Sequence, residues 1–258
     1  MCLILVSFND HSRYHLIFAA NRDEFYERPT ASAHFWEDQP NILGGRDLKH
    51  GGTWLGVTKQ GRIAALTNYR NPSNRKFDAP SRGRLVSDFL MELDDPADYG
   101  QRLMRTKNNY NDFNLLFGKR DQIFFVSSQS SDVQSLPQGT HGLSNHLLDT
   151  PWPKVKTGIK ALRHLVSGSD DISHESIFRI LTDTRRPDDK FLPDTGIGLE
   201  WERILAPIFI TSPVYGTRSS TVVTIDFENN VSFLERSYVN QDPGVFTEKQ
   251  FEFRLDDT

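Results

Sequence analysis

The sequence predicts an α+β fold, a largely antiparallel sheet system covered by helices, and three observations carry that expectation. Strand-like runs open and close the chain, helix-periodic runs occupy its middle, and the strand runs come in pairs joined by short turn-like clusters. Strands joined by short turns pair antiparallel, because a parallel return needs a long crossover.

Taken in order, residues 2–8 and 14–20 are β-rich and flank Asn9-Asp10-His11-Ser12, which reads as a hairpin turn. A turn centred near residues 10 and 11 pairs Cys2 with Ala19 or Ala20, so that Asn21, Arg22, Asp23 and Glu24 emerge beside Cys2. Residues 53–58 and 62–67 form a second hairpin around Lys59-Gln60-Gly61, which brings Asn68 near Gly51 and Gly52. Between the hairpins, Gly44-Gly45-Arg46-Asp47 and Gly51-Gly52 read either as a pair of turns or as backbone that approaches a ligand or another strand closely. Apolar residues recur at helical spacing over 84–93 and 96–105, and again over 154–166 and 173–181, with Pro153 as a start and Gly168 as a stop. Residues 113–117 and 122–126 return to strand character, and 221–227 with 231–238 make a last hairpin. No internal repeat and no linker separates two cores, so one domain over residues 1–258 is expected.

Composition narrows the function classes. Hydrophobic residues make up 37% and charged residues 25%, and 18 Phe and 4 Trp supply bulk for an interior, which excludes a disordered chain. The 30 basic residues are outweighed by 34 acidic ones and form no long run, so nucleic acid is not an expected partner. Cys2 is the one cysteine, which forbids an intrachain disulfide and suits a reducing, cytoplasmic compartment. The apolar opening run lacks a basic flank and is broken at once by Asn9, Asp10 and His11, too short for a signal sequence or an integral membrane segment. None of the eight His stands at a metal-ligand spacing, and no phosphate-binding glycine motif is present, so no metal and no required cofactor is expected. Trp152 and Trp201 read as core anchors; Trp54, in its glycine-rich stretch, reads equally as a ligand shelf.

The chemistry-bearing residue is Cys2. Removal of Met1 is expected before a small second residue, and Cys2 then carries both a thiol nucleophile and an α-amine base of pKa about 8. Arg22 would favour the thiolate, and Asp23 would orient the amine or the arginine.

Eight motifs in order extend this reading: Met1-Cys2, Ala19-Ala20-Asn21-Arg22-Asp23-Glu24-Phe25, Gly51-Gly52-Thr53-Trp54-Leu55-Gly56, Ala65-Leu66-Thr67-Asn68, Tyr110-Asn111-Asp112-Phe113-Asn114-Leu115, Gly142-Leu143-Ser144-Asn145, Pro151-Trp152-Pro153-Lys154 and Tyr215-Gly216-Thr217-Arg218. Together they resemble the NRDE family of transport and Golgi organisation proteins over almost the whole chain. That family is similar to the N-terminal-nucleophile hydrolases, which implies an αββα sandwich of two antiparallel sheets between helix layers. Bile-salt hydrolases and penicillin V acylases are the nearest comparison, and by that resemblance Cys2 attacks a carbonyl, Asn68 or Asn145 helps an oxyanion hole, and Asp23 and Arg218 organise the charges. Asn21, Arg22, Glu24, Arg46 and Trp54 are the expected ligand-binding residues around them. In that hydrolase group an arginine stands three residues before the aspartate, whereas Ala20 holds that place here.

Two functions follow from the resemblance. The expected cellular role is mobilisation of haem, bound as an amphipathic cargo in a hydrolase-like pocket, because NRDE relatives are linked to haem movement, lipid handling and secretory organisation. The alternative is a Cys2-dependent amidase that cleaves the non-peptide C–N bond of an acylated linear amide. The expected partner is therefore a small amphipathic molecule, haem or an acylated amide.

Overall fold

A computed structural model describes residues 2–168, 171–239 and 241–256; Met1, whose removal matters to the chemistry of Cys2, lies outside the described residues. In chain order the first elements are β1 (Cys2–Phe8), β2 (Tyr14–Phe25), β3 (Thr30–Phe35), β4 (Ile42–Asp47), β5 (Leu55–Thr58) and β6 (Arg62–Asn68). Next come α1 (Gly83–Met91), α2 (Pro96–Thr106), β7 (Phe113–Lys119), β8 (Gln122–Ser127), β9 (Gln134–Ser135) and β10 (Gly139–Leu143). The chain continues through α3 (Pro153–Gly168), α4 (His174–Leu181), α5 (Leu199–Leu205), β11 (Tyr215–Asp226), β12 (Asn230–Tyr238) and β13 (Phe246–Arg254). Among the described residues no helix is long and apolar enough to cross a membrane.

These elements form two compact units, Met1–Glu27 with Gln138–Ser144 and Leu148–Glu252, and Arg28–Pro137 with Asn145–Leu147 and Phe253–Thr258. The first is built on a sheet of order β10-β1-β2-β11-β12-β13, which the end of β13 leaves. Its core sets Leu3 and Leu5 of β1, Ile17 and Ala19 of β2 and Val222 of β11 against Val155 and Leu162 of α3 and Ile177, Phe178 and Leu181 of α4. Alternate strand residues fill this face, as the period of two requires. Helix α4 is capped by Ser173, whose hydroxyl accepts from Ser176 N at 3.2 Å.

The second unit holds the sheet β3-β4-β5-β6-β7-β8-β9. Leu85, Val86, Phe89 and Leu90 of α1 and Tyr99 and Leu103 of α2 pack on Ala64, Leu66, Phe113, Leu115 and Phe117 of the strands. Helix α2 starts where Pro96 follows Asp95, whose carboxylate accepts from Ala97 N at 2.7 Å. The glycine-rich stretch is one strand segment and one turn: Gly44 and Gly45 lie inside β4, whereas Gly51, at φ 76°, closes a turn by donating its N–H to Asp47 O at 2.7 Å. A Cβ at Gly44 would come within 2.6 Å of the Leu55 carbonyl oxygen on β5, so close strand approach is what the glycine permits.

Three expectations are corrected. The first turn is longer than Asn9–Ser12, because His11 Nδ1 accepts from Arg13 N at 3.0 Å and Tyr14 N at 3.3 Å and draws Arg13 into the loop, with Asn9 at φ 49°. That moves the register so that Cys2 pairs with Arg22, not with Ala19 or Ala20, and Asn21 to Glu24 continue β2 instead of emerging from its end. Trp201 is not a core anchor but is 40% exposed, its ring edge-on to Tyr215 at 6.4 Å. Strands β3, β4, β10 and β13 and helix α5 had no clear signal in the sequence, being short, glycine-bearing or largely polar.

The contact of α3 with β1 depends on Gly158, where a Cβ would meet Leu5 Cδ2 at 2.7 Å. Gly158→Val should therefore cost about 1–3 kcal/mol by overpacking, read as a lower urea midpoint with an unchanged slope.

Candidate functional site

The expected site residues divide between the two units: Cys2, Asn21, Arg22, Asp23, Glu24 and Arg218 belong to the first, and Arg46, Trp54, Asn68 and Asn145 to the second. In the first unit the antiparallel register makes Cys2 and Arg22 direct cross-strand partners. Partners share a sheet face and strand neighbours alternate. Arg22 therefore stands beside Cys2, while Asn21 and Asp23 lie on the helix-bearing face.

Asn21 is a tie on that face. Its Nδ2 donates to the carbonyl oxygens of Leu181 at 2.8 Å and Ile208 at 2.9 Å, and its Oδ1 accepts from the Ser220 hydroxyl at 2.5 Å. Asp23 is 2% exposed, and its Oδ1 accepts from Thr217 Oγ1 at 2.7 Å. Thr217 is itself oriented by Ile210 N, which donates to the same hydroxyl oxygen at 2.9 Å. Burial pushes the Asp23 carboxyl above the usual carboxylate range, against the opposing pull of Lys154, the Thr217 hydrogen bond and Arg22. Lys154, in the first turn of α3, is 4% exposed and donates from Nζ to Leu205 O at 3.1 Å. It is the charge that acts most strongly on Asp23.

The thiol of Cys2 differs from expectation. Burial, the largest influence, pushes it up and the Asp23 carboxylate pushes the same way, while Arg22 pulls down more weakly. Its main-chain carbonyl accepts from the Ser144 hydroxyl at 3.2 Å. Arg218 sits at a register shift where Thr217 faces Asp23 and Ser219 faces Arg22, which makes it the extra residue of a β-bulge. The bulge turns its guanidinium to the Phe25 carbonyl at 2.8 Å, where Glu24 is the nearest acidic influence. Glu24 Oε1 accepts from Phe25 N at 2.9 Å.

In the second unit Asn145 is fully buried, and its Nδ2 donates to Asn68 O at 2.9 Å while its own carbonyl accepts from Arg70 N at 2.8 Å. The two asparagines are thus brought together. Asn114, which sequence reasoning left without a role, donates to Thr67 Oγ1 at 3.1 Å and His146 O at 2.9 Å and completes this amide cluster. Arg46 pairs with Asp38 at 2.5 Å, donates to Gly51 O at 3.1 Å and covers the Trp36 ring at 4.4 Å, a surface clasp. The Trp54 ring lies over Gly45, whose Cβ, if present, would overlap it at 2.3 Å. Lys154 and Thr217 are the other functional candidates that the sequence did not single out. Both lie in quoted motifs, but burial and facing partners are tertiary facts.

Residues 1–240 match the family described as Transport and Golgi organisation 2. The chain belongs to that family. It is 36% identical over 275 residues to the Transport and Golgi organization protein 2 homolog of Bos taurus, covering 99% of both chains. It is 30% identical to Transport and Golgi organization protein 2 of Drosophila melanogaster, covering 94% of both. Among solved structures it is similar to conjugated bile acid hydrolase from Clostridium perfringens, in a cysteine-to-alanine mutant (TM-score 0.55, 10% identity, 99% of this chain and 92% of that one) and an arginine-to-leucine variant (TM-score 0.57, 11% identity, 98% of each). At such identity the likeness shows the fold alone: an α+β sandwich class of the N-terminal-nucleophile hydrolase type, as the family resemblance implied.

Two measurements check this geometry. Iodoacetamide should alkylate native Cys2 more slowly at pH 7 than it alkylates free cysteine, with the rate rising only above the ordinary thiol pKa of about 8.5; fast labelling at neutral pH would mean that Arg22 outweighs burial. A carboxyl whose pKa is raised by folding stabilises the fold fully below its unfolded value of about 3.9 and loses that contribution as pH rises through the folded value. Asp23→Asn should accordingly melt higher than wild type at pH 7, and the advantage should vanish as the pH falls towards 4, roughly the unfolded carboxyl value.

Proposed function

We propose that this chain binds an amphipathic small molecule reversibly in a hydrolase-like fold and serves haem mobilisation, with haem as cargo and not as a resident cofactor. The observation that carries the binding part is the strand register: half-buried Cys2 stands directly across from Arg22, a cation beside the thiol. Covalent attack needs a thiolate or a base positioned to make one. Recognition of a cargo with acidic groups needs a cation near its seat, and Arg22 is such a cation beside Cys2. The haem part is supported by resemblance to NRDE relatives.

An amidase is the second reading, favoured by the Cys2–Arg22 pairing next to the buried Asp23 and by the likeness to a bile acid hydrolase. It requires Met1 to be removed, so that the α-amine of Cys2 can take the thiol proton.

Wild type, Cys2→Ser and Cys2→Ala distinguish the two readings by absorbance titration with haem and by hydrolysis of a panel of N-acyl amides. The binding reading expects haem affinity in Cys2→Ala within about tenfold of wild type, a difference under about 1.4 kcal/mol, and no hydrolysis by any of the three. Hydrolysis by wild type that is lost in both variants, with no saturable haem binding, would leave the amidase alone.

A further inference from the structure

The register that pairs Cys2 with Arg22 continues across the first sheet. Arg22 also faces Ser219 of β11, and Ser219 faces Ser237 of β12, so Cys2, Arg22, Ser219 and Ser237 form one row over four strands. Direct partners share a face. The adjoining row fixes which face it is: the Ser220 hydroxyl donates to Asn21 Oδ1 at 2.5 Å on the helix-bearing side, so Ser219 and Arg22 point the other way, with Cys2. The bulge at Arg218 is what sets Ser219 opposite Arg22. The middle of the row is closed and its ends are more open: Arg22 and Ser219 are each 5% exposed, whereas Cys2 and Ser237 are half-buried.

Ser219 is the residue of this row that the fold leaves unused. Its Oγ is buried and has no hydrogen-bond partner among the described residues. A buried hydroxyl without a partner loses water and gains nothing in return. Native folds hold few such groups, and functional use is one reason they persist. Ser7 and Ser232 also carry unused hydroxyls, but their common row, with Thr140, Ile17 and Thr224, contains no thiol and no charge. We propose that Ser219 is a ligand-binding residue of the Cys2 site, its hydroxyl donating to an acceptor oxygen, a carboxylate or a carbonyl, that the ligand places between Ser219 and Arg22. No excess of charge is required. The next row on this face sets Glu235 opposite Thr221, so the face carries an acid as well as Arg22, and a hydroxyl donates to a neutral carbonyl as readily as it meets a carboxylate. Neighbouring strands lie about 4.8 Å apart, so Ser219 stands on the order of 10 Å from Cys2 and reads a different part of the ligand from the one at the thiol. As a contact to the cargo Ser219 rests on the binding reading proposed above; as a donor to a small acceptor it stands without it.

The test is a 1H–15N chemical-shift titration of the full chain with acetate and, separately, with N-methylacetamide, chloride holding the ionic strength constant, in wild type, Ser219→Ala and Ser232→Ala. Wild type should show saturable shifts centred on the amides of Arg22, Ser219 and Ser237. Affinity should fall about tenfold in Ser219→Ala and stay unchanged in Ser232→Ala, whose hydroxyl lies outside the row. Tighter binding of acetate identifies a carboxylate acceptor, and the reverse order a carbonyl. Without ligand, Ser219→Ala should melt no lower than wild type, because it removes a hydroxyl that makes no bond within the fold. A clearly lower melt would mean that the fold itself uses the hydroxyl. Shifts that fail to saturate, that centre elsewhere, or that persist at full affinity in Ser219→Ala would mean that no ligand oxygen reaches it. Either result overturns the assignment of Ser219. Fragment binding that depends on Ser219, together with failure of the haem titration, would keep Ser219 in the site and remove haem as its cargo.

Discussion

Putting the carboxylate of Asp23 into the interior costs several kcal/mol of lost hydration, and much of the first unit is arranged around that cost. Thr217 faces Asp23 because β11 runs antiparallel to β2 in a fixed register, and Ile210 N holds the Thr217 hydroxyl in place. Lys154 brings the compensating charge from the start of α3 and is tethered to Leu205 O. Asn21, two residues before Asp23, ties the same strand to Leu181 and Ile208. Strand β2, helix α3, the end of α4 and the segment leading into β11 therefore meet around one carboxyl group. The net upward push on that group shows that these partners only partly replace water.

The bulge at Arg218 follows from the same arrangement. It inserts one residue so that Thr217 and Ser219 keep their partners Asp23 and Arg22 while the arginine side chain leaves the ladder for the Phe25 carbonyl. Its charge answers Glu24, on the outer edge of the strand. In the second unit the buried amides do a different job: Asn145 and Asn114 each give hydrogen bonds to main-chain carbonyls, which fixes their planes without adding a charge.

The fold class was legible in the sequence because alternation and helical spacing are local. The helices appear at α1 to α4 within a residue or two of their expected bounds, each a run with a buried stripe such as Leu85, Val86, Phe89 and Leu90. The turn after β1 was misplaced because its length depends on the His11 ring reaching back to two amides, a contact that composition does not signal. That shift alone changed the partner of Cys2. The eight ordered motifs indicated the family, and they contained Lys154 and Thr217, but nothing in a motif says that a lysine is buried or which carboxylate it faces.

By itself, then, the sequence determined the alternation of strands and helices, the family, and the presence of one thiol beside a cluster of charged residues. Each of these is a property of residue order and type. The tertiary structure decided that Cys2 is set against Arg22, that burial pushes its thiol up, and that Asp23 is answered by Thr217 and Lys154. Those outcomes depend on register and on how completely water is excluded, and both arise only when segments nearly two hundred residues apart, such as Asp23 and Thr217, pack together.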